Sequence, residues 1–219
     1  MIEAELKFTP FSISRNKILF KLEPEQIPFF KSNLIDRDIE IFFDVGANIG
    51  FYSLYLSDIA NEVYAFEPDE TAYSNFLENI SLNDIHNVVV RNELVSEVDC
   101  DGIEYGTVSD ASGRNSIIST SIHDKEGFTR IKKMRSIKLD SEYKFTNRSI
   151  GIKIDVEGHE IYVLRGAKNL LKNNKVFIQI ESYNDEQTEE ISEYLSNIDY
   201  KLVKVIGPDH YFANSDTAL

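Results

Sequence analysis

A single cysteine, Cys100, stands in the whole chain, so no internal disulfide framework can form and a reducing compartment is expected. Long apolar runs are missing too, because Asp44, Asp58 and Glu62 interrupt the most hydrophobic region and exclude a membrane span there. The start, Met1-Ile2-Glu3-Ala4-Glu5, lacks the basic and apolar stretches of a secretory signal, and a cytoplasmic location is expected. Bases are scarce: 23 Lys and Arg face 37 Asp and Glu, a net charge of −14. Such a surface repels phosphate backbones, so neither nucleic acid nor a membrane is an expected partner. One local reversal, Arg130, Lys132, Lys133 and Arg135, reads as a solvated strand face or as a seat for an anionic substrate group. The dinucleotide fingerprint G-x-G-x-x-G and the phosphate loop G-x-x-x-x-G-K-[ST] are both absent, which points away from a pyrophosphate ligand. No internal repeat or heptad pattern is present.

What is there is centred on Glu40 to Ser53. A run of β-branched and aromatic residues reaches Asp44, the turn Gly46-Ala47-Asn48-Ile49-Gly50 follows, and an apolar-periodic segment from Phe51 to Ile59 predicts a helix. Strand, glycine turn and helix open a nucleotide-binding α/β unit. Glycine at 46 permits a sharp turn, and glycine at 50 permits close approach of a ligand or of the helix. About twenty residues on, Val63-Tyr64-Ala65-Phe66-Glu67-Pro68 is a second strand ending in an acid placed to accept hydrogen bonds from ribose hydroxyls. The glycine spacing indicates a nucleoside-sized ligand.

At 219 residues, with 42% hydrophobic and 27% charged, the chain is expected to be one domain with a sizeable core. Residues 1–35 form an N-terminal elaboration, 36–105 the ligand-binding half, 106–149 a variable lid and 150–219 the second half of the sheet. Within the elaboration, Ile18–Leu22 predicts a strand and Pro24 opens a short helix through Phe29 and Phe30. Acids at Asp69 and Glu70 start a helix running to Leu82, and Val88-Val89-Val90 reads as a third strand covered on both faces. Residues 94–149 break the rhythm with alternating segments and a polar stretch, read as strands plus an exposed loop over the carboxyl end of the sheet. The alternation resumes with a strand at Ile150–Asp155, a helix from Gly158 to Lys172, a strand at Val176–Glu181 and a helix at Glu186–Leu195. Strands at Lys201–Ile206 and His210–Asn214 flank the turn Gly207-Pro208-Asp209. Alternating strands and helices predict a parallel sheet with right-handed crossovers.

Asp44, Glu67, Glu93, Asp155 and Glu181 each close a predicted strand, which gathers five acids on one rim, where ligands of open α/β sheets bind. The segment Lys153-Ile154-Asp155-Val156-Glu157-Gly158-His159-Glu160 carries the densest ionisable chemistry. Glu160 shares a helix face with Ile161, Leu164, Ala167 and Leu171, so it either caps the helix start or faces a site. A general base is available at His159, or at the carboxylates Asp155 and Glu157. A metal is not expected, because no second histidine follows at the i+4 spacing of H-E-x-x-H sites.

Phe43-Asp44-Val45-Gly46-Ala47-Asn48-Ile49-Gly50, Phe66-Glu67-Pro68 and Lys153 to Glu160, with Val163-Leu164-Arg165-Gly166-Ala167, resemble the FkbM-type methyltransferase family in order and spacing over roughly residues 40–182. The resemblance implies a Rossmann-like class I α/β fold, a seven-stranded mostly parallel sheet with helices on both faces and an antiparallel strand near the C-terminus. It also implies S-adenosylmethionine as the methyl donor. Carried over by position, Asp44 with Gly46, Ala47, Asn48, Gly50 and Phe51 borders the methionine part. Glu67 and Pro68 lie at the ribose, and Asn92 and Glu93 at the adenine edge, although Glu93 departs from the small residue expected there. Asp155, Val156 and Glu157 lie beside the sulfonium and the incoming nucleophile. The expected reaction is O-methylation of a hydroxyl on a small molecule, sugar or natural-product intermediate. N-methylation of an amide or amine, on a peptide or small molecule, and a nucleoside-binding module without catalysis are the alternatives. A nucleotide-dependent oxidoreductase is disfavoured by the missing glycines.

Overall fold

The structure, a computed structural model, describes residues 6–10, 23–108, 115–117 and 128–214. Its main sheet has seven strands: β1 (Ile41–Val45), β2 (Glu62–Phe66), β3 (Val88–Arg91), β8 (Ser149–Ile154), β9 (Lys175–Glu181), β10 (Lys201–Ile206) and β11 (Asp209–Ala213). They lie in the order β10-β11-β9-β8-β1-β2-β3. β1, β2, β3, β8 and β9 pair in parallel, while β11 runs antiparallel to both β9 and β10. The chain leaves β1 towards β2 and β3 on one side, and β8 and β9 lie on the other. The order therefore reverses between β1 and β8, and a crevice opens outside their carboxyl ends.

Helices cover both faces. Helix α1 (Gln26–Asp36) and α2 (Phe51–Leu56) bury Phe30, Leu34 and Tyr52 against Phe42, Phe177 and Tyr211, while α3 (Glu70–Leu82) sets Phe76 against Ala47, Leu54 and Ala65. On the opposite face Ile41, Phe43, Ile152, Ile178 and Ile180 meet α4 (Leu139–Glu142), α5 (Glu160–Gly166), α6 (Lys168–Asn173) and α7 (Asp185–Ser196) through Leu139, Leu164, Leu171 and Leu195. The alternation of inward residues along each strand decides which face each side chain serves.

A second sheet, not separately foreseen, joins β4 (Leu94–Val95), β7 (Arg130–Ile137), β5 (Cys100–Thr107) and β6 (Ser116–Ile117) in the order β4-β7-β5-β6. β5 and β7 pair antiparallel with Tyr105 opposite Lys132. Strands were expected in this region, and β5, β6 and β7 lie there among the described residues. The strand expected at Ile18–Leu22 lies outside them.

Three expectations change. β3 is an edge strand rather than a strand covered on both faces, and Val89 is 52% exposed. The helix after β1 stops at Leu56, short of Ile59. The helix expected over Gly158–Lys172 is two helices, interrupted at Ala167, whose φ of −112° and ψ of 14° are not helical. The second of these is started from outside. Asp140 on α4 accepts from the backbone N–H of Asn169 at 2.8 Å and of Leu170 at 2.9 Å, which caps the free donors of α6. Helical periodicity runs straight through this break because the cap comes from another element. Asp140→Ala is expected to cost about 0.5–2 kcal/mol, read as a lower urea midpoint with an unchanged slope.

Candidate active site

Parallel pairing sets Asp44 on β1 beside Lys153 on β8, and Lys153 beside Gln179 on β9, so one row of polar side chains crosses the middle of the sheet. Lys153 is buried, with its Nζ 3.0 Å from Asp155 Oδ2 and 4.8 Å from the ring centre of Tyr52. Burial alone would push the ammonium down, but Asp155, Asp44, Glu23 and Glu181 together raise it above the ordinary lysine value. Lys153 thus stays charged. Burial is the largest single influence on Asp155 and pushes it up, but the Lys153 charge and the hydrogen bonds from Glu181 and Lys153 together bring it down, so Asp155 is ionised and Glu181 is pushed up to hold the proton. Asp44 accepts from Ser53 at Oγ (2.6 Å) and at the backbone N–H (3.1 Å), and its Oδ1 has no hydrogen-bond partner among the described residues.

The polar row continues away from the crevice. Gln179 Nε2 donates to Tyr52 Oη at 3.0 Å and to Asp209 Oδ1 at 2.7 Å, and Tyr52 donates to Glu23 at 2.5 Å. Glu23, Tyr52, Gln179 and Asp209 carry no chemical signal in the sequence, since each comes from a different element. Lys153 did carry one: a lysine inside an otherwise apolar central strand has to be paired.

Above the row lies a cleft open to solvent, whose floor and walls come from the ends of β1, β2 and β8 and from the small sheet. Glu67 forms part of its wall. Its Oε2 accepts from the N–H of Asn48 at 2.7 Å and its Oε1 from that of Asp69 at 2.7 Å. Each carboxylate oxygen keeps a lone pair for a further donor, as a pair of ribose hydroxyls requires. Asn48 holds the left-handed conformation, φ 52°, that aims its N–H at Glu67. Gly46 is also left-handed, and a Cβ there would come within 1.8 Å of the Asp155 carbonyl, so β1 and β8 can meet at the cleft floor only with glycine present. Gly50 serves packing instead of ligand approach: a Cβ would lie 2.0 Å from the Phe76 ring.

Asp155, Val156, Glu157 and His159 form the opposite side of the cleft. The turn carrying them is fixed by Glu160, the acid whose role the sequence left open. Its Oε1 accepts from the N–H groups of Val156 and Gly158, each at 3.1 Å, and Oε2 accepts from Gln187. Glu160 is therefore the anchor of the strand-to-helix turn and does not line the cleft. His159 is buried with its ring stacked on Tyr162 (4.5 Å, 11°) and its Nε2 2.9 Å from Ser96 Oγ. Burial lowers it to about 4, so the ring is neutral at neutral pH.

Of the remaining sequence candidates, Pro68 and Glu93 line the cleft, whereas Asp44, Ala47, Gly50, Phe51 and Asn92 stand behind it. Asn92 donates to the Glu67 carbonyl at 2.8 Å, and Glu93 is held by Arg91 and, at 3.2 Å, by Arg135. The five-acid rim is accordingly divided: Glu67, Glu93 and Asp155 face the cleft, and Asp44 and Glu181 support it. The small sheet closes the far side with Tyr105, Asn115, Ser116 and Ile117, which no sequence motif marked. Lys132 ties it down, donating to the Pro68 carbonyl at 3.0 Å with its ammonium 5.8 Å from the Tyr105 ring centre. Part of the basic cluster is therefore structural, while Arg130 and Lys133 are exposed. Among the described residues no group of His, Cys, Asp and Glu has the arrangement of a metal centre.

Burial pushes Glu67 up to about 8, and Glu160 and Asp209 each up to about 7. Each acid is raised above its unfolded value, so its contribution to stability is complete below that value and is lost as pH rises through 7 to 8. The thermal midpoint of the ligand-free protein is expected to fall between pH 5 and pH 8.5. Glu67→Gln should make that fall shallower, as differential scanning calorimetry across the range would record.

The chain matches the methyltransferase FkbM domain over residues 44–202. It is 29% identical over 144 residues to hexuronic acid methyltransferase AglP of Haloferax volcanii, with 65% of this chain and 56% of that protein covered. The chain thus spans little more than half the length of that relative. Among solved structures it resembles a methyltransferase from Geobacter sulfurreducens, with a TM-score of 0.57, 11% identity and coverage of 97% of this chain and 91% of the other. It also resembles the SMU.1697c protein of Streptococcus mutans, solved in complex with SAH, with a TM-score of 0.53, 13% identity and coverage of 86% and 97%. The strand order with its single antiparallel strand is the class I methyltransferase fold, and with the match across residues 44–202 the chain belongs to the FkbM methyltransferase domain family.

Proposed function

We propose that this chain transfers the methyl group of S-adenosylmethionine to a hydroxyl oxygen of a small-molecule or sugar acceptor. The observation that carries this reading is the cleft itself, with the Glu67 carboxylate on one side and the ionised Asp155, beside Glu157 and His159, on the other. When bound, the donor supplies a methyl group made electrophilic by a sulfonium cation. The residues present suit it: Glu67 retains acceptor capacity for two ribose hydroxyls, the Gly46 turn lets the backbone come close, and carboxylates match a positive centre. The hexuronic acid relative supports a sugar acceptor, and the acidic surface of the chain disfavours nucleic acid.

In this reading the chain contributes mainly by holding two reactants in line, which can supply about 7–11 kcal/mol of the barrier. With the donor held there, the acceptor oxygen would take the methyl carbon and the bonding pair would leave with sulfur as S-adenosylhomocysteine (SAH). The hydroxyl proton goes to Asp155, the carboxylate that Lys153 keeps ionised at the cleft wall, and from there to solvent. Glu157 lies beside it as a second acceptor of protons. His159 is neutral and lines the same wall, so it is a proton acceptor of the same kind.

Incubation with methyl-labelled donor and a panel of sugars and uronic acids is expected to give SAH and a labelled O-methyl product. Tight binding of NAD with no binding of SAH in calorimetry would overturn the reading. Asp155→Asn should lower kcat about 10²- to 10⁴-fold while the protein still binds SAH, and full retention of rate would remove Asp155 from the proton-accepting role. Glu67→Ala should instead weaken SAH binding, measured by the same titration.

A further inference from the structure

β9 ends at Glu181, and two residues on stands Tyr183, 56% exposed. Among the described residues it is the only Phe or Tyr left open to solvent, so packing does not account for its ring. Its hydroxyl donates to Glu181, and Glu181 shares a hydrogen bond with Asp155. β8 and β9 run in parallel with Ile154 beside Ile180, which makes Asp155 and Glu181 neighbours at the carboxyl ends of the strands. Three side chains therefore run in a row from the cleft wall to the surface: Asp155, Glu181 and Tyr183. Partial burial, the bond to Glu181 and the charges of Glu181, Asp155 and Glu157 raise the phenol above its ordinary value, so it stays neutral.

The ring is exposed but fixed. On one side the Ser182 N–H donates to the Pro208 carbonyl at 3.0 Å, and on the other Asn184 caps α7, its side chain accepting from the Gln187 N–H at 2.8 Å. With its hydroxyl tied to Glu181, Tyr183 presents a ring that loses little freedom when something packs on it. The face of an aromatic ring carries negative charge and attracts weakly positive C–H groups, while the acids beside it accept hydroxyl protons. An apolar face rimmed by acceptors is complementary to a pyranose, which has a C–H face and a belt of hydroxyl donors. A flat apolar ligand would leave the acids beside it unpaired, and a phosphorylated one would meet the charge of Asp155.

We propose that Tyr183 is the platform of the acceptor site, its ring packed on the C–H face of a sugar whose hydroxyl is thereby presented at Asp155. The strand order supports this placement. Glu67 closes β2 and Asp155 follows β8, on either side of β1, whereas Tyr183 follows β9, on the side of Asp155 away from Glu67. Two reactants held at Glu67 and at Tyr183 would come to Asp155 from opposite sides, as an in-line displacement requires. The role of the bound sugar as methyl acceptor rests on the reading above; the binding of a sugar at Tyr183 does not.

The test uses the full chain with ring-¹³C tyrosine, in which the Tyr183 signal among the 11 tyrosines is identified by its loss in Tyr183→Phe. With SAH present, the protein is titrated with methyl glucoside, methyl mannoside, methyl galactoside and glucuronate. One of these should move the Tyr183 signal in a saturable way. In turnover with that sugar, Tyr183→Ala should raise the acceptor KM about tenfold, with kcat and SAH affinity each within about twofold. Tyr183→Phe keeps the ring face and should hold KM within about threefold of the wild type. If no sugar moves the Tyr183 signal, the platform is overturned. A sugar methylated with an unchanged KM in Tyr183→Ala also overturns it, and leaves methyl transfer standing. Loss in Tyr183→Phe equal to that in Tyr183→Ala assigns the effect to the hydroxyl and overturns the platform as well. If a sugar moves the signal but none is methylated, the platform stands and the methyl-transfer reading fails.

Discussion

One buried ammonium, that of Lys153, makes the middle of this molecule possible. Carboxyls from β1, β8, β9, β11 and the residues before α1 converge where the strands end, and their mutual repulsion in a dry interior would force them to take up protons. Lys153 sits among them, paired with Asp155 at 3.0 Å. Losing Asp155 would leave the buried ammonium with less compensation. The distribution of protons follows from its position. Asp155, closest to the ammonium, keeps its charge, and Glu181, sharing a hydrogen bond with Asp155, holds a proton. A carboxylate that is ionised and lines a cleft is thus produced by a lysine that does not line it.

The cleft walls obey the same division between residues that face the ligand space and residues that fix them. Glu67 faces inward while its position is set by the Asn48 and Asp69 N–H groups. Asp155 to His159 face inward while Glu160 gathers the N–H groups of Val156 and Gly158 behind them. The small sheet closes the third side, tethered at one point by Lys132 on the Pro68 carbonyl. Its contact with the main sheet through Ser96 and His159 means that the two sheets meet on a polar side chain at the cleft wall.

Much of this was open to reading in the chain itself. The strand-glycine turn-helix unit at 41–56 is where the periodicity placed it, apart from a shorter helix, and Glu67 closes β2 as read. The edge position of β3 was not readable, because three consecutive valines satisfy an interior strand and an edge strand equally well. The split of the helix after β8 was hidden for a different reason: an unbroken apolar stripe at Ile161, Leu164, Ala167 and Leu171 serves two short helices as well as one long one. Glu160 stood on that stripe with two meanings open, and only its distances to Val156, Gly158 and Gln187 chose between them.

The sequence by itself determined the alternation of strands and helices, the glycine turn at 46 and 50, and the acids that end the strands, because each is written in local periodicity or in a residue's own stereochemistry. Only the tertiary structure decided which of those acids face the cleft, that Lys153 keeps Asp155 ionised, and that Tyr105, Asn115, Ser116 and Ile117 from a separate sheet complete the wall. Those outcomes depend on side chains brought together from distant parts of the chain, and burial and pairing at such meetings set protonation states that no stretch of sequence contains.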